Sequence, residues 1–183
     1  MPERLYNISS ENHLMGSEED LLHILLNTKV FQGLTDDDLK LFCRYFQKIP
    51  FKENDILIQE GQLRKALHII LKGQVKVFLL RYIEGTREHR ITEVPLAALD
   101  EGDCFGEFSL FDEKPASASV IATRPGELIK LTKPVFDSIL ETNDHIAKTI
   151  YHNFVQILIT RMRKSDQEYD RLLTIHQSLH LKV

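Results

Sequence analysis

The stretch from Gly102 to Val120, GDCFGEFSLFDEKPASASV, decides the fold. Gly102 and Gly106 mark turns, Glu107-Phe108-Ser109 opens a short helical segment, Pro115 ends the excursion, and Ser117-Ala118-Ser119-Val120 leads into an apolar strand. Gly106 lets the backbone come close to a compact anion, and the amides of Glu107, Phe108 and Ser109 open a helical turn aimed at it. Glu107, an acceptor-only carboxylate, suits a hydroxyl donor. Phe105 and Ala118 flank the two halves of this loop. The segment reads as an anion seat set into a β-structure.

Outward from it, the chain between Lys52 and Leu131 consists of short apolar runs separated by glycine. Ile56–Ile58, Leu67–Leu71, Val75–Leu80, Ile91–Leu96, Ser119–Ala122 and Leu128–Leu131 are strand candidates, with turn signals at Gly61, Gly73, Gly85, Gly102 and Gly126. Strands this short and numerous predict a β-roll or jelly-roll barrel of about eight antiparallel strands, in an α+β fold with helices before and after it. The polar run Ile83–Arg90 reads as a hairpin tip.

The flanks have helical spacing. Residues 1–16 are unpatterned and read as an arm; the segment 17–49 holds two helices, one capped by Ser17 and one running from Asp36 to about Phe46 behind a Thr35 cap. The β-roll occupies 50–132, and 133–183 returns to helix, first over Pro134–Leu140 and then from a cap at Asn143 or Asp144 to about Ile175, roughly 48 Å. Along that rod Ala147, Tyr151, Phe154, Leu158, Met162, Ser165, Tyr169 and Leu172 follow a nearly heptad spacing, which predicts a homodimer paired through 144–175. The alternative is a single amphipathic helix packed on its own domain. The charges of Arg161, Arg163, Lys164, Asp166, Glu168, Asp170 and Arg171 read as a solvated face.

Composition excludes several classes of function. With 183 residues, 43% hydrophobic and 27% charged, the chain has the size of one core with helical extensions. No apolar run approaches the roughly 20 residues that span a bilayer, and the start, MPERLYNISSENH, has no apolar leader core. Two separated cysteines, Cys43 and Cys104, fit reduced thiols in a cytoplasmic protein, Cys104 as a small buried side chain. A formal charge of −4 without a basic block argues against nucleic acid as a partner. No nucleophile elbow, P-loop or zinc motif is present, so neither an enzyme nor a metal protein is expected. His176 and His180 share helical spacing but lack a third ligand, and His68, between apolar neighbours, reads as structural.

The segment Ile56-Leu57-Ile58-Gln59-Glu60-Gly61, the run Leu67 to Val75 around Gly73, and Phe105-Gly106-Glu107 followed by Pro115 and Ser117 together resemble the cyclic nucleotide-binding domain family over about Phe31 to Lys164. The resemblance implies a regulatory module that senses cAMP, cGMP or a related small anion and signals through its long helix to a partner protein. It assigns Glu107 to the ribose 2′-hydroxyl and Ser117 to the phosphate. Ser165 and Asp166 align with positions that meet adenine in the catabolite-activator branch. Where the family places a phosphate-pairing arginine, this chain has Ala116; loss of two charge-assisted bonds would weaken phosphate binding by on the order of 10² to 10⁴-fold. Lys114, Arg64 and Lys65 are the nearest substitute cations, each a partial replacement or a solvated loop charge. The competing expectation is a domain of the same fold used as a ligand-free interaction scaffold, its pocket empty or filled by its own side chains. A transcription factor is disfavoured, because only about eight residues follow Ile175 where such relatives carry a helix-turn-helix domain.

Overall fold

A computed structural model describes residues 18–83, 90–112 and 114–180. The arm at 1–16, the Ser17 cap and the hairpin tip at 84–89 lie outside the described residues, as do the side chains of Leu172, His176 and His180. Helix α1 spans Glu18–Asn27 and is followed by a 3-10 turn, Lys29–Phe31. Helix α2 spans Asp36–Cys43 and starts at the expected Thr35 cap, where Thr35 Oγ1 accepts from the Asp38 amide and the Asp38 carboxylate accepts from the Thr35 amide. It ends three residues before the expected Phe46, because Gln47–Phe51 is already extended as β1.

The remaining elements are β2 (Ile56–Ile58), β3 (Ala66–Ile83), β4 (Arg90–Leu99), β5 (Cys104–Phe105), α3 (Phe108–Phe111), β6 (Ser119–Thr132), α4 (Lys133–Thr142) and α5 (Asp144–His180). All strand pairings are antiparallel. The order is β1-β6-β3-β4, with β2 also on β6 and β5 also on β3, in a sheet that does not close on itself among the described residues. Six strands replace the expected eight or so because two pairs of strand candidates are continuous: Leu67–Leu71 with Val75–Leu80 in β3, and Ser119–Ala122 with Leu128–Leu131 in β6.

Bulges between Ile70 and Val75 bend β3 where it crosses β6. Two glycines make that crossing possible. A Cβ on Gly126 would lie 1.9 Å from the Lys72 carbonyl oxygen, and one on Gly73, at φ +95°, would lie 2.7 Å from that of Pro125.

Strand alternation divides the core in two. One face of the sheet presents Leu67, Ile69, Leu71, Ile129 and Leu131 to the helices, where Leu25, Phe31, Phe42, Phe136, Ile150 and Phe154 complete a continuous apolar cluster. The other face, inside the roll, gathers Ile58, Ile70, Val75, Phe105, Val120 and Leu128, with Val77, Ala97 and Ala116 packed against them.

Helix α5 lies on the first cluster through Ile146, Ile150, Phe154 and Ile157, and Asn153 Nδ2 fastens it to the 3-10 turn by donating to the carbonyls of Val30 (3.1 Å) and Gln32 (2.8 Å). The expected single seam is therefore corrected. Phe154 and Ala147 face the helix's own domain, while Tyr151, at the outer edge of the stripe, and Met162 and Tyr169, where the rod has run past the domain, are exposed. Every described side chain from Met162 to Thr174 is exposed. Among the described residues no helix is long and apolar enough to cross a membrane.

Candidate functional site

The loop between β5 and β6 forms the site. Strand β5 pairs with β3 through His68 with Phe105 and Ile69 with Cys104, then turns at Gly106, φ +79°. A Cβ there would stand 2.7 Å from the Ala66 carbonyl oxygen and 3.1 Å from His68 Nδ1, so the close backbone of β3 demands glycine at this turn. Phe108–Phe111 then makes one short helix, with the Leu110 amide donating to the Glu107 carbonyl. The Ser109 hydroxyl lies 3.0 Å from the Arg64 carbonyl oxygen and 2.9 Å from that of Gly106, which ties the start of α3 to the loop after Gly61.

The returning side is laced to the same loop. The Gly61 amide donates to the Ala116 carbonyl at 2.8 Å, the Ala116 amide to the Gln62 carbonyl at 2.9 Å, and the Glu60 amide to Ser119 Oγ at 3.0 Å. Ala116 and Ser109 are thus both bonded to the loop after β2, at Gln62 and Arg64. Ala118 and Ser119 are buried, Ala116 is half-buried and Ser117 is exposed.

Glu107 is the centre of the arrangement. It is 4% exposed, and its Oε1 accepts a short bond from Arg161 Nη1 of α5; Arg161 Nη2 donates to the Cys104 carbonyl at 2.5 Å. Burial raises the Glu107 carboxyl above the ordinary carboxylate range, and the Arg161 guanidinium and the residue's own amide pull it back only in part. The Cys104 thiol, buried beside the Glu107 charge, is pushed up to about 12, which leaves it an inert, protonated filler as expected. His68 is buried and stacked on Phe105, with ring centroids 4.9 Å apart and Nδ1 unpartnered among the described residues; burial and the nearby Lys130 and Arg64 lower it to about 4.

Phe105, Gly106, Glu107, Phe108, Ser109 and Ala116 thus come together around one turn, although Phe108 is half-exposed and points away from the core. Arg64 and Lys114 are exposed, and Lys65 is half-buried. Ser165 and Asp166 are exposed on α5, one turn past Arg161, and their side chains make no hydrogen bond among the described residues.

Arg161 itself is not part of a solvated face, and here the expectation is corrected. Its side chain is 32% exposed and engages the buried carboxylate. A signal for it exists in the sequence: Ile150, Phe154, Ile157 and Arg161 are spaced 4, 3 and 4, which sets Arg161 on the inward stripe of the helix. No group of three or more potential metal ligands occurs among the described residues.

The sequence profile of the cyclic nucleotide-binding domain matches residues 48–143, more than half of the chain, which therefore belongs to that family. A cyclic AMP receptor protein of Thermus thermophilus is 32% identical over 78% of this chain and 61% of its own length. A cGMP-dependent protein kinase of Caenorhabditis elegans is 29% identical over 73% of this chain and 16% of its own. The chain thus spans less than two thirds of these relatives. Among solved structures, a cyclic nucleotide-binding domain from Methylobacillus flagellatus superposes with a TM-score of 0.68 at 26% identity, covering 85% of this chain and 82% of the other. The Thermus thermophilus catabolite activator protein superposes at 0.64 with 30% identity, covering 79% and 63%. The chain is a cyclic nucleotide-binding regulatory domain with the antiparallel roll and flanking helices of that fold.

Proposed function

We propose that this chain binds a cyclic nucleotide, cAMP or cGMP, at the turn around Gly106, and that α5 reports occupancy to a partner protein. The observation that carries this reading is the attachment of Glu107 to Arg161. The buried carboxylate that suits a ribose hydroxyl is already held by the long helix, so a ligand arriving at Glu107 acts on α5 without any intermediary. Val77 and Ala97, which pack on the same inner cluster as Ala116, supply an apolar wall for the nucleoside, and Ser117 stands exposed at the phosphate side.

Calorimetric titration of the whole chain with cAMP and with cGMP tests this, with Glu107→Ala as control. Saturable heat that is lost in the variant supports the reading, and no heat at millimolar ligand refutes it. The second reading, a ligand-free scaffold, is favoured by two features of the same site: Arg161 occupies the Glu107 acceptor, and no arginine stands at Ala116. Under that reading Arg161→Ala, which vacates the carboxylate, gains no nucleotide binding.

The exposed apolar stripe of Tyr151, Val155, Ile159, Met162, Tyr169 and Leu173 supports self-association of α5 as the route to a homodimer. A cytoplasmic location remains part of the proposal, resting on a chain with only two cysteines, Cys43 and Cys104, set far apart in the sequence.

A further inference from the structure

We infer that Arg81 on β3 supplies the anion clamp that Ala116 lacks, delivered from the neighbouring strand; the inference rests on the nucleotide-binding reading of the site. Its first support is register. Val77 pairs with Val120 and Phe78 with Ser119, the last pair of the ladder, and Arg81 and Ala116 each lie three residues beyond that pair on the two segments leaving it.

The second support is the side they project to. Val77 and Val120 belong to the interior of the roll, and alternation places Leu79 and Arg81 of β3 on that face together with Ala116, which packs on the same cluster. An arginine missing from the segment that enters β6 is thus present on β3, on the face where Ala116 packs.

The third is where the guanidinium now rests. Arg81 Nη1 lies 3.1 and 3.3 Å from the two Glu60 carboxylate oxygens and 2.8 Å from the Leu80 carbonyl oxygen. Glu60 immediately precedes Gly61, whose amide donates to the Ala116 carbonyl, and the Glu60 amide itself donates to Ser119 Oγ. Arg81 therefore already reaches the loop after β2, which is hydrogen-bonded to Ala116. All three contacts use Nη1; Nη2 and Nε have no partner among the described residues, which leaves one edge of the fork for an anionic oxygen. Arg81 is 49% and Glu60 35% exposed, so the resting pair is weak and readily exchanged for a phosphate. None of the expected candidates Arg64, Lys65 and Lys114 lies on β3, and the two lysines lack the planar fork.

Calorimetric titration of wild type, Arg81→Gln, Arg81→Lys, Ala116→Arg and the double variant Arg81→Gln/Ala116→Arg with cAMP and cGMP tests the clamp. Circular dichroism verifies each fold, which substitution at a half-exposed strand residue leaves intact. Arg81→Gln is expected to weaken the preferred nucleotide about 10²-fold, Arg81→Lys to retain part of the affinity, and the double variant to recover most of it. Wild-type affinity in Arg81→Gln overturns the clamp and leaves the nucleotide reading standing. Binding by Ala116→Arg with none by wild type likewise overturns the clamp, since it shows an otherwise competent pocket without a working cation. No binding by any of the five overturns the nucleotide reading, and the clamp with it.

Discussion

Arg161→Ala isolates the contact on which the regulatory reading turns. In the folded chain the arginine neutralises a carboxylate that is only 5% exposed, while its own side chain is 32% exposed. Removing one partner of a fully buried pair costs about 3–5 kcal/mol and of a surface pair about 0–1 kcal/mol, so this mixed case is worth about 2–3 kcal/mol, including the bond to the Cys104 carbonyl. The cost depends on pH in a definite direction. Burial already raises Glu107, and without its cation the carboxyl rises further. A group raised on folding stabilises the fold below its unfolded value, about 4.3, and that contribution disappears as pH rises through the folded value. The deficit of the variant is therefore largest at neutral and alkaline pH, and its charge component vanishes as pH falls through the wild-type folded value, where Glu107 is protonated and no longer needs a counter-ion. Urea denaturation across pH 4.5–8, in a cycle with Glu107→Gln, measures it. A deficit under about 0.5 kcal/mol at pH 7.5, or one that is flat with pH, would mean that Arg161 behaves as an ordinary solvated charge.

Three further outcomes follow from the geometry. His68, lowered to about 4 from an ordinary value near 6.5, contributes stability that is fully present above 6.5 and lost as pH falls toward 4. His68→Phe, which keeps a ring on Phe105, should flatten that decline by about 2 kcal/mol at pH 5, read from urea midpoints at pH 7 and 5. Gly106→Ala drives a Cβ to 2.7 Å from the Ala66 carbonyl oxygen at φ +79°; a loss of about 2–3 kcal/mol is expected in thermal unfolding, and an unchanged melting temperature would show that the turn is not strained. Val155→Glu with Met162→Glu, at positions 51% and 68% exposed, should leave the fold intact while converting a dimer to a monomer by light scattering. A wild-type chain that is monomeric at 100 μM, a concentration of about the order used in such work, contradicts self-association.

The local signals in the sequence translate well into structure. The Thr35-x-x-Asp38 box starts α2, Pro134 sits in the first turn of α4, and Gly61, Gly73, Gly102 and Gly106 all take positive φ at expected turns. Such features depend on a few neighbouring residues. What escapes a one-dimensional reading depends on partners distant in the chain. The bulges that join two apolar runs into β3 are set by where β6 crosses, 50 or so residues away, and β1, containing Pro50, shows no alternation because it lies at the edge, paired only with β6. In the site, Glu107 is legible from its motif, whereas Arg161 is 54 residues away on a helix whose other charges are solvated, and only its phase relative to Ile150 and Phe154 distinguishes it. Arg81 likewise becomes visible only once the pairing of β3 with β6 is known.

The division of α5 into a seated and a projecting portion has a mechanical consequence. From Arg161 to the last described residue, His180, the rod extends about 28 Å. A tilt of about 10° about the Arg161 contact would displace its far end by about 5 Å, several times the sub-ångström adjustment that exchanging one oxygen for another at Glu107 requires. The protruding segment thus works as an amplifier, with its fulcrum at a single buried carboxylate.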